Sequence, residues 1–541
     1  MKAGVCAGLM QSGADVVDLG VVPTPALQLY VRNHPELAGG VMVTASHCAR
    51  RYNGLKVFSQ GGIEFAREDE QALRSFYERE IDGEDMYGAG VSRFDGSAAE
   101  DYVEAVVSCV DVGAVRSAGL KVCADCAGGA AALTTPLILK RLGVEAIVVG
   151  ADMLGEPSRE SDPSAENLAD FSSLAVSVGA DLAVAHDIDG SRAVFLDEEG
   201  ARLGGDAAGA IVAKAVLSGE KGRVVTPATS SEVLERTVAS EGGAVRYTPT
   251  GSHEVVHRML ESKAVFGAEE DGGMYFTDLL VCRDGGLALA KMLEVVAKGG
   301  SLSRQAFGLS EYYTFKISVP CPRGSKAAVM ERFAEGAKAM RLRVDSTDGL
   351  KALTDDGWVL MRPAEAEDAV RIYSEATSAE SARERAEKTA ERVRAYLGEA
   401  AQAGKRPPGS FPEALGVDRQ DLVYHPGGEY RGDPGRVRRR AHLVDVEADQ
   451  PVADHVYGAL HVHRREAEGL RGAGPGRVRR VDAVDVQGEV DLLRLHRVQR
   501  LLHGPGHPHV EDVVGADEPH RVVPLQLLGA DGPGAQHEDV V

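Results

Sequence analysis

Along roughly the first 300 residues, short β-branched runs alternate with stretches of helical period, and this alternation restricts the fold more than any other feature. Val16-Val17-Asp18-Leu19, Val41-Met42-Val43, Leu120 to Ala124, Ala146 to Val149, Leu182 to Ala185, Val224-Val225 and Ala264 to Phe266 read as strands, with helical patterns between most of them. That is the sequence form of repeated βαβ units, so parallel-rich mixed sheets with helices on both faces are predicted. Punctuation near 111–120, 200–206 and 299–322 separates the units. Past the third break the pattern changes. A helix over Lys326 to Ala339, strands at 341–345, 357–362 and 370–374, and a charged helix from Ser378 to Leu397 predict a small α+β domain. Glu380 with Arg383 and Glu384 with Lys388 give that last helix a solvated, charge-paired face. The predicted fold class is three related α/β domains (1–112, 113–203, 204–310) and an α+β domain (311–400), with a separate tail at 401–541.

Composition excludes several classes of partner. A chain of 541 residues is too long for one core. Its net charge of −22 would repel a polyanion, so nucleic acid is not expected to bind. No apolar run approaches the roughly 18 residues of a membrane span, and the start, Met1 to Met10, reads as an amphipathic helix because Gln11 and Asp15 interrupt it. The seven cysteines read as reduced residues of a cytoplasmic protein, and Cys123-x-x-Cys126 lacks the second pair of a zinc site. The tail differs in kind. After Lys405 it contains no Lys, Ile, Met, Cys or Asn, yet it holds 11 of the 16 histidines. Residues beyond about 401 are therefore expected to be disordered or non-native, as a frameshifted extension would be, and His461, His463, His503, His507 and His509 are expected to bind metal only incidentally.

Four loops carry side chains suited to chemistry. Ser46 follows an apolar strand, and ligands gather at the carboxyl edge of parallel sheets, so its hydroxyl is a candidate nucleophile. His47, Arg50, Arg51 and Lys56 are cationic donors for a phosphoryl group and for proton relay; a polar turn with solvated charges is the bland alternative. The strand Leu182 to Ala185 runs into His186-Asp187-Ile188-Asp189-Gly190-Ser191-Arg192, whose carboxylates suit magnesium as well as they suit an ordinary turn. Glu269-Glu270-Asp271 sits in a glycine-bounded loop, where carboxylates can accept hydrogen bonds from a polyol or simply face solvent. Arg362 and Arg371 lie on neighbouring predicted strands, placed either to clamp a phosphate or to snorkel at a sheet edge.

Taken in order, one such loop per domain resembles the α-D-phosphohexomutase superfamily, in particular its archaeal phosphomannomutase, phosphoglucomutase and phosphoglucosamine mutase branch. The resemblance covers about residues 3–398, with agreement also at Asp18 to Pro25, Ala124 to Gly129, Glu166-Asn167-Leu168 and Arg283-Asp284-Gly285. It implies a cytoplasmic isomerase, monomeric or homodimeric, acting on a hexose phosphate of glucose, mannose or glucosamine. The residue matching Ser46 would carry a phosphoryl group and pass it to the sugar, by way of a bisphosphate that turns round in the cleft. Mg2+ would be held by Ser46, Asp187, Asp189 and Ser191, and neutralises charge as the group moves. His47 and Lys56 would serve the catalytic step, and Arg192, Glu269, Asp271, Arg362 and Arg371 would bind the substrate.

The sequence departs from the family pattern in four places. It begins inside the first domain, without the family's opening strand and its arginine-bearing loop, so that domain is expected to be truncated. Cys48-Ala49 replaces Asn-Pro after Ser-His. Ser191 replaces a third metal carboxylate. The loop Arg362-Pro363-Ala364-Glu365-Ala366-Glu367-Asp368 lacks the hydroxyls and glycine of the family's Arg-Pro-Ser-Gly-Thr-Glu-Pro, and Glu365 puts negative charge where a phosphate should bind. Two alternatives follow. One is a catalytically impaired relative that binds sugar phosphates or a partner; the other is a haloacid-dehalogenase-type phosphatase using Asp187-Ile188-Asp189-Gly190-Ser191 as an aspartyl-nucleophile loop.

Overall fold

The computed structural model describes residues 1–46, 52–77, 89–153, 159–309, 312–364 and 367–402; the expectations about the tail fall outside them. The first region runs α1 (Lys2–Gln11), β1 (Val16–Asp18), α2 (Thr24–Asn33), β2 (Gly39–Thr44), β3 (Gly54–Ser59), α3 (Arg67–Tyr77), β4 (Ser92–Phe94) and α4 (Ala98–Ser108). The second runs α5 (Val112–Ala118), β5 (Lys121–Asp125), α6 (Thr135–Leu142), β6 (Glu145–Val149), α7 (Ala169–Ser177), β7 (Leu182–His186) and β8 (Ala193–Leu196). The third runs α8 (Gly205–Gly219), β9 (Arg223–Pro227), α9 (Glu232–Ser240), β10 (Ala244–Thr248), α10 (Ser252–Ser262), β11 (Phe266–Ala268), β12 (Met274–Phe276), α11 (Gly285–Gly299) and α12 (Leu302–Phe307). The last comprises β13 (Tyr313–Pro320), α13 (Arg323–Ala339), β14 (Arg343–Asp345), β15 (Leu350–Thr354), β16 (Gly357–Pro363), β17 (Ala369–Ala376) and α14 (Ala379–Gln402).

The second and third sheets share one plan. Their strand orders are β6-β5-β7-β8 and β10-β9-β11-β12, with the first three strands parallel and the fourth returning antiparallel. The central strands β5 and β9 are buried on both faces, which accounts for their continuous apolar runs. In the first region β1 pairs with β4, and β2 pairs antiparallel with β3. Between β1 and β2, at the place corresponding to β5 and β9, lies a cavity of about 660 Å³ lined by Val16, Val17, Leu27, Val41 and Phe58. Helix α1 forms where a helix is expected, but it is not amphipathic: its apolar and polar residues are not sorted onto opposite faces. None of its residues is fully buried, and Val5, Cys6 and Leu9 line this cavity.

Polar caps set the helix boundaries. Asp111 accepts the Ala114 N–H before α5, Ser231 accepts the Val233 N–H before α9, and Asp284 accepts the Leu287 N–H before α11. The fourth sheet is wholly antiparallel, β13-β17-β16-β15-β14. One of its faces buries Ile372, Met361 and Val319 against Val329 of α13 and Ala386 of α14. The other face brings Trp358, Leu360 and Tyr373 onto Ala228 of the third region. Cys123 and Cys126 are fully buried free thiols, and burial pushes them up to about 11 and about 12, so neither offers a thiolate. Among the described residues no helix is long and apolar enough to cross a membrane.

Candidate active site

Ser46 lies two residues past the carboxyl end of β2, which pairs antiparallel with β3. The serine is 8% exposed and has a φ of 51°, a left-handed conformation that a non-glycine residue adopts only when its surroundings hold it there. Its N–H donates to Thr44 Oγ1 at 2.9 Å, and its carbonyl accepts the hydroxyl of Ser161. Ser161 is fully buried, and its Oγ also lies 3.5 Å from the donating Ile188 N–H, so one hydroxyl ties the serine loop to the turn after β7.

That turn is built by its own backbone. Gly190, at φ 67°, allows the chain to reverse, and the Gly190 N–H reaches the Asp187 carbonyl at 3.1 Å. Asp187 Oδ1 accepts the Arg192 N–H at 3.0 Å, and its Oδ2 is 3.3 Å from the donating Ser191 hydroxyl. Asp189 Oδ1 accepts the Ser191 N–H at 3.3 Å. Its Oδ2 takes Thr24 Oγ1 at 2.7 Å and Lys56 Nζ at 2.6 Å. Burial, reinforced by the negative charge of Asp189, pushes Asp187 up to about 6. Burial also opposes ionisation of Asp189, but Lys56 and Thr24 outweigh it and hold that carboxyl well below the usual range. His186 is locked as a neutral ring: burial pushes it down to about 4, Nδ1–H donates to the Arg192 carbonyl at 2.8 Å, and Nε2 then accepts from Thr135 Oγ1 at 3.1 Å.

These donors are hard oxygens gathered around Ser191, the ligand type magnesium prefers, although Lys56 and Arg192 already balance the two carboxylate charges. The set contains two carboxylates. Among the described residues no group of three or more His, Cys, Asp or Glu side chains could hold a metal. An aspartyl-nucleophile role suits Asp187 less well, because both of its oxygens are already engaged.

A cleft of about 570 Å³ opens beside this turn and is lined by Ser46, Lys56, Arg192, Thr250, Gly251, Ser252, Glu269, Glu270, Asp271, Arg283, Lys316, Ile317, Ser318, Arg371, Ile372 and Tyr373. Arg192 crosses to the third region, where it pairs with Asp271 Oδ2 at 2.6 Å. Glu269 is 3% exposed, and burial raises its carboxyl despite the Arg283 guanidinium it pairs with; Tyr275 OH donates to its Oε2 at 2.5 Å. On the fourth region's wall, Lys316 pairs with Glu270, and Arg371 lies 3.3 Å from Glu367.

Four family profiles match the chain in succession, all described as phosphoglucomutase/phosphomannomutase: alpha/beta/alpha domain I over residues 1–84, domain II over 100–200, domain III over 204–312, and the C-terminal domain over 317–392. The chain belongs to the phosphoglucomutase/phosphomannomutase family. A phosphoglucomutase/phosphomannomutase of Thermococcus kodakarensis is 37% identical over 391 residues, 71% of this chain and 84% of that one. The solved structure of a phosphoglucomutase/phosphomannomutase family protein from Burkholderia thailandensis has a TM-score of 0.62 at 26% identity, covering 72% of this chain and 86% of that chain. Aspergillus fumigatus N-acetylphosphoglucosamine mutase, solved with GlcNAc-6P and magnesium, shares the fold at a TM-score of 0.51 and 16% identity, covering 73% of this chain and 98% of that chain.

Of the residues singled out in the sequence, the cleft gathers Ser46, Lys56, Arg192, Glu269, Asp271 and Arg371. Asp187, Asp189 and Ser191 lie buried just behind Lys56 and Arg192. Arg362 is not among the lining residues. Its Nε sits 3.2 Å from Asp348 Oδ1, off the line of a hydrogen bond, and Asp348 Oδ2 accepts Thr250 Oγ1 at 2.6 Å, so Arg362 braces the joint between the third and fourth regions. His47, Cys48, Arg50, Arg51, Glu365 and Ala366 lie outside the described residues. Sequence reasoning missed Thr24, Ser161, Lys316 and the Thr250-Gly251-Ser252 turn. Thr24 lies in the Asp18 to Pro25 segment that agrees with the family pattern, but its place beside Pro25 at the first turn of a helix gave it no role in the site.

Proposed function

We propose that the protein is a phosphohexomutase that interconverts hexose 1-phosphate and hexose 6-phosphate through a phosphorylated Ser46. The observation that carries this reading is the meeting of Ser46, Lys56, Glu269 and Arg371 in one cleft, with two buried carboxylates directly behind the lysine. Glucose, mannose and glucosamine phosphates are the candidate substrates. In the first half-reaction a sugar hydroxyl attacks the phosphorus on Ser46; the P–Oγ bond breaks as the sugar O–P bond forms. Lys56 gives a proton to the departing serine oxygen and recovers one from the attacking hydroxyl, so the amine ends as it began. The resulting hexose bisphosphate turns over in the cleft and returns its other phosphoryl group to Ser46 by the same exchange in reverse. Glu269 and Asp271 orient the sugar hydroxyls, Arg192 fixes Asp271, and cations on the far wall hold the phosphate that is not reacting. Asp187, Asp189, Ser191 and Ser46 would hold Mg2+, which supplies charge neutralisation at the transferring phosphoryl group.

The test is incubation with glucose 1-phosphate, mannose 1-phosphate or glucosamine 6-phosphate, together with magnesium and a trace of the matching hexose bisphosphate. Isomer formation and a phosphorylated Ser46 peptide in the mass spectrum are expected, and both should vanish in Ser46→Ala. Absence of isomer and of phosphoserine in the unaltered protein would favour the non-catalytic alternative.

A further inference from the structure

Pleat parity places four polar side chains on one face of the fourth sheet. Lys316 is the cross-strand partner of Tyr373, and Ser318 is that of Arg371, in the antiparallel register of β13 and β17. Residues two apart on a strand share a face, so all four point the same way, and all four line the cleft. The alternate residues Phe315, Ile317 and Val319 pack into the core behind them. The Lys316 ammonium stands 5.5 Å from the centre of the Tyr373 ring, which fixes its direction while leaving donors to spare, since an ammonium has three and Glu270 is one acceptor. Arg371 interacts with Tyr373 on the same face and pairs with Glu367, a pair in which both side chains are about half exposed and which an incoming anion can displace at little cost.

The described residues of the segment that starts at Arg362 are differently engaged. Arg362 lies opposite Arg371 in the β16–β17 register, but its charge is taken by Asp348 at 3.2 Å. Ala364 contributes no hydroxyl, and Lys326, which could have faced a ligand there, donates instead to the Ala364 and Glu367 carbonyls at 2.8 and 2.6 Å.

We propose that the seat for the substrate's non-reacting phosphate is the strand face formed by Lys316, Ser318, Arg371 and Tyr373, not the turn following Arg362. This rests on the mutase reading for the identity of the sugar, while the ligand chemistry, a phosphate monoester dianion, follows from two cations and two hydroxyls converging on one wall. Lys316 is the decisive residue, since nothing in the sequence marked it.

The experiment compares Lys316→Gln, Ser318→Ala and Arg362→Gln with the unaltered protein, with Lys316→Arg as the conservative control and thermal melts to confirm folding. Binding of glucose 6-phosphate and of inorganic phosphate is read by calorimetry, alongside KM and kcat. Losing one charge-assisted contact to phosphate should raise Kd and KM about ten- to a hundredfold in Lys316→Gln, less in Ser318→Ala, with recovery in Lys316→Arg and under about twofold change in Arg362→Gln. Unchanged binding in Lys316→Gln, or a loss in Arg362→Gln equal to or greater than that in Lys316→Gln, overturns the proposal. So does a lack of phosphate and glucose 6-phosphate binding by the unaltered protein. If the unaltered protein binds glucose 6-phosphate without turning it over, the mutase reading fails, and the Lys316→Gln binding result still decides the seat.

Discussion

Replacing Ser161 with alanine removes a single hydroxyl that lies outside the cleft lining and leaves every residue that would touch the substrate in place. In the folded protein that hydroxyl donates to the Ser46 carbonyl and receives the Ile188 N–H, joining groups 115 and 27 positions away in sequence. Ser46 sits in a left-handed conformation that disfavours a side chain by about 1–2 kcal/mol. A buried hydrogen bond contributes about 1 kcal/mol net, and leaving its acceptor unpaired in a dry setting costs about 1–3 kcal/mol. The clip and the strain are therefore of the same size, and without the clip the serine loop should leave its productive geometry in most molecules. A shift of one to two kcal/mol corresponds to a loss of about five- to thirtyfold in kcat. KM for the hexose phosphate should stay within about twofold, because the seat on the opposite wall is untouched. Steady-state kinetics on Ser161→Ala, with Ser161→Thr as a variant that retains the hydroxyl, measures this. An unchanged kcat in the alanine variant, or an equal loss in the threonine variant, would show that the conformation of Ser46 does not depend on this contact.

Thr24→Val keeps the shape of a side chain that is only 1% exposed but withdraws a hydrogen bond from Asp189. The expected result is weaker binding of Mn2+, used as a magnesium probe and followed by electron paramagnetic resonance, by about three- to thirtyfold, with little change in the melting temperature. Asp206 gives a pH signature. Burial pushes it up to about 6, and its Oδ1 has no hydrogen-bond partner. Its folded-state value is raised, so the folded protein holds the extra proton; stability is fullest below the ordinary carboxylate value and declines as pH rises through about 6. Asp206→Asn should flatten the pH dependence of chemical-denaturation midpoints between pH 4 and 6 and leave the protein as much as about 3 kcal/mol more stable at pH 7; an unaltered pH profile would count against the burial argument.

Local pattern determined much of this protein. The apolar runs that became β5, β7 and β9 are buried on both faces, and a segment with that composition has no stable exposed alternative. The turn after β7 was legible for the same reason: a strand must end, and Asp187, Asp189 and Gly190 carry the hydrogen-bonding and conformational means to end it within their own few residues. Strand β13 was hidden inside what read as a break between domains, although Phe315, Ile317 and Val319 alternate cleanly, because Lys316 and Ser318 between them belong to a cleft that no local window contains. The two arginines of β16 and β17 looked equivalent in sequence. Asp348, reached only through the fold, took one and left the other facing the cleft. Thr24 meets Asp189 across 165 positions, and Ser161 meets Ser46 across 115. Periodicity acts over one element and can be read from it. The meeting of polar groups from four regions depends on how their surfaces pack, and only the folded chain holds that information.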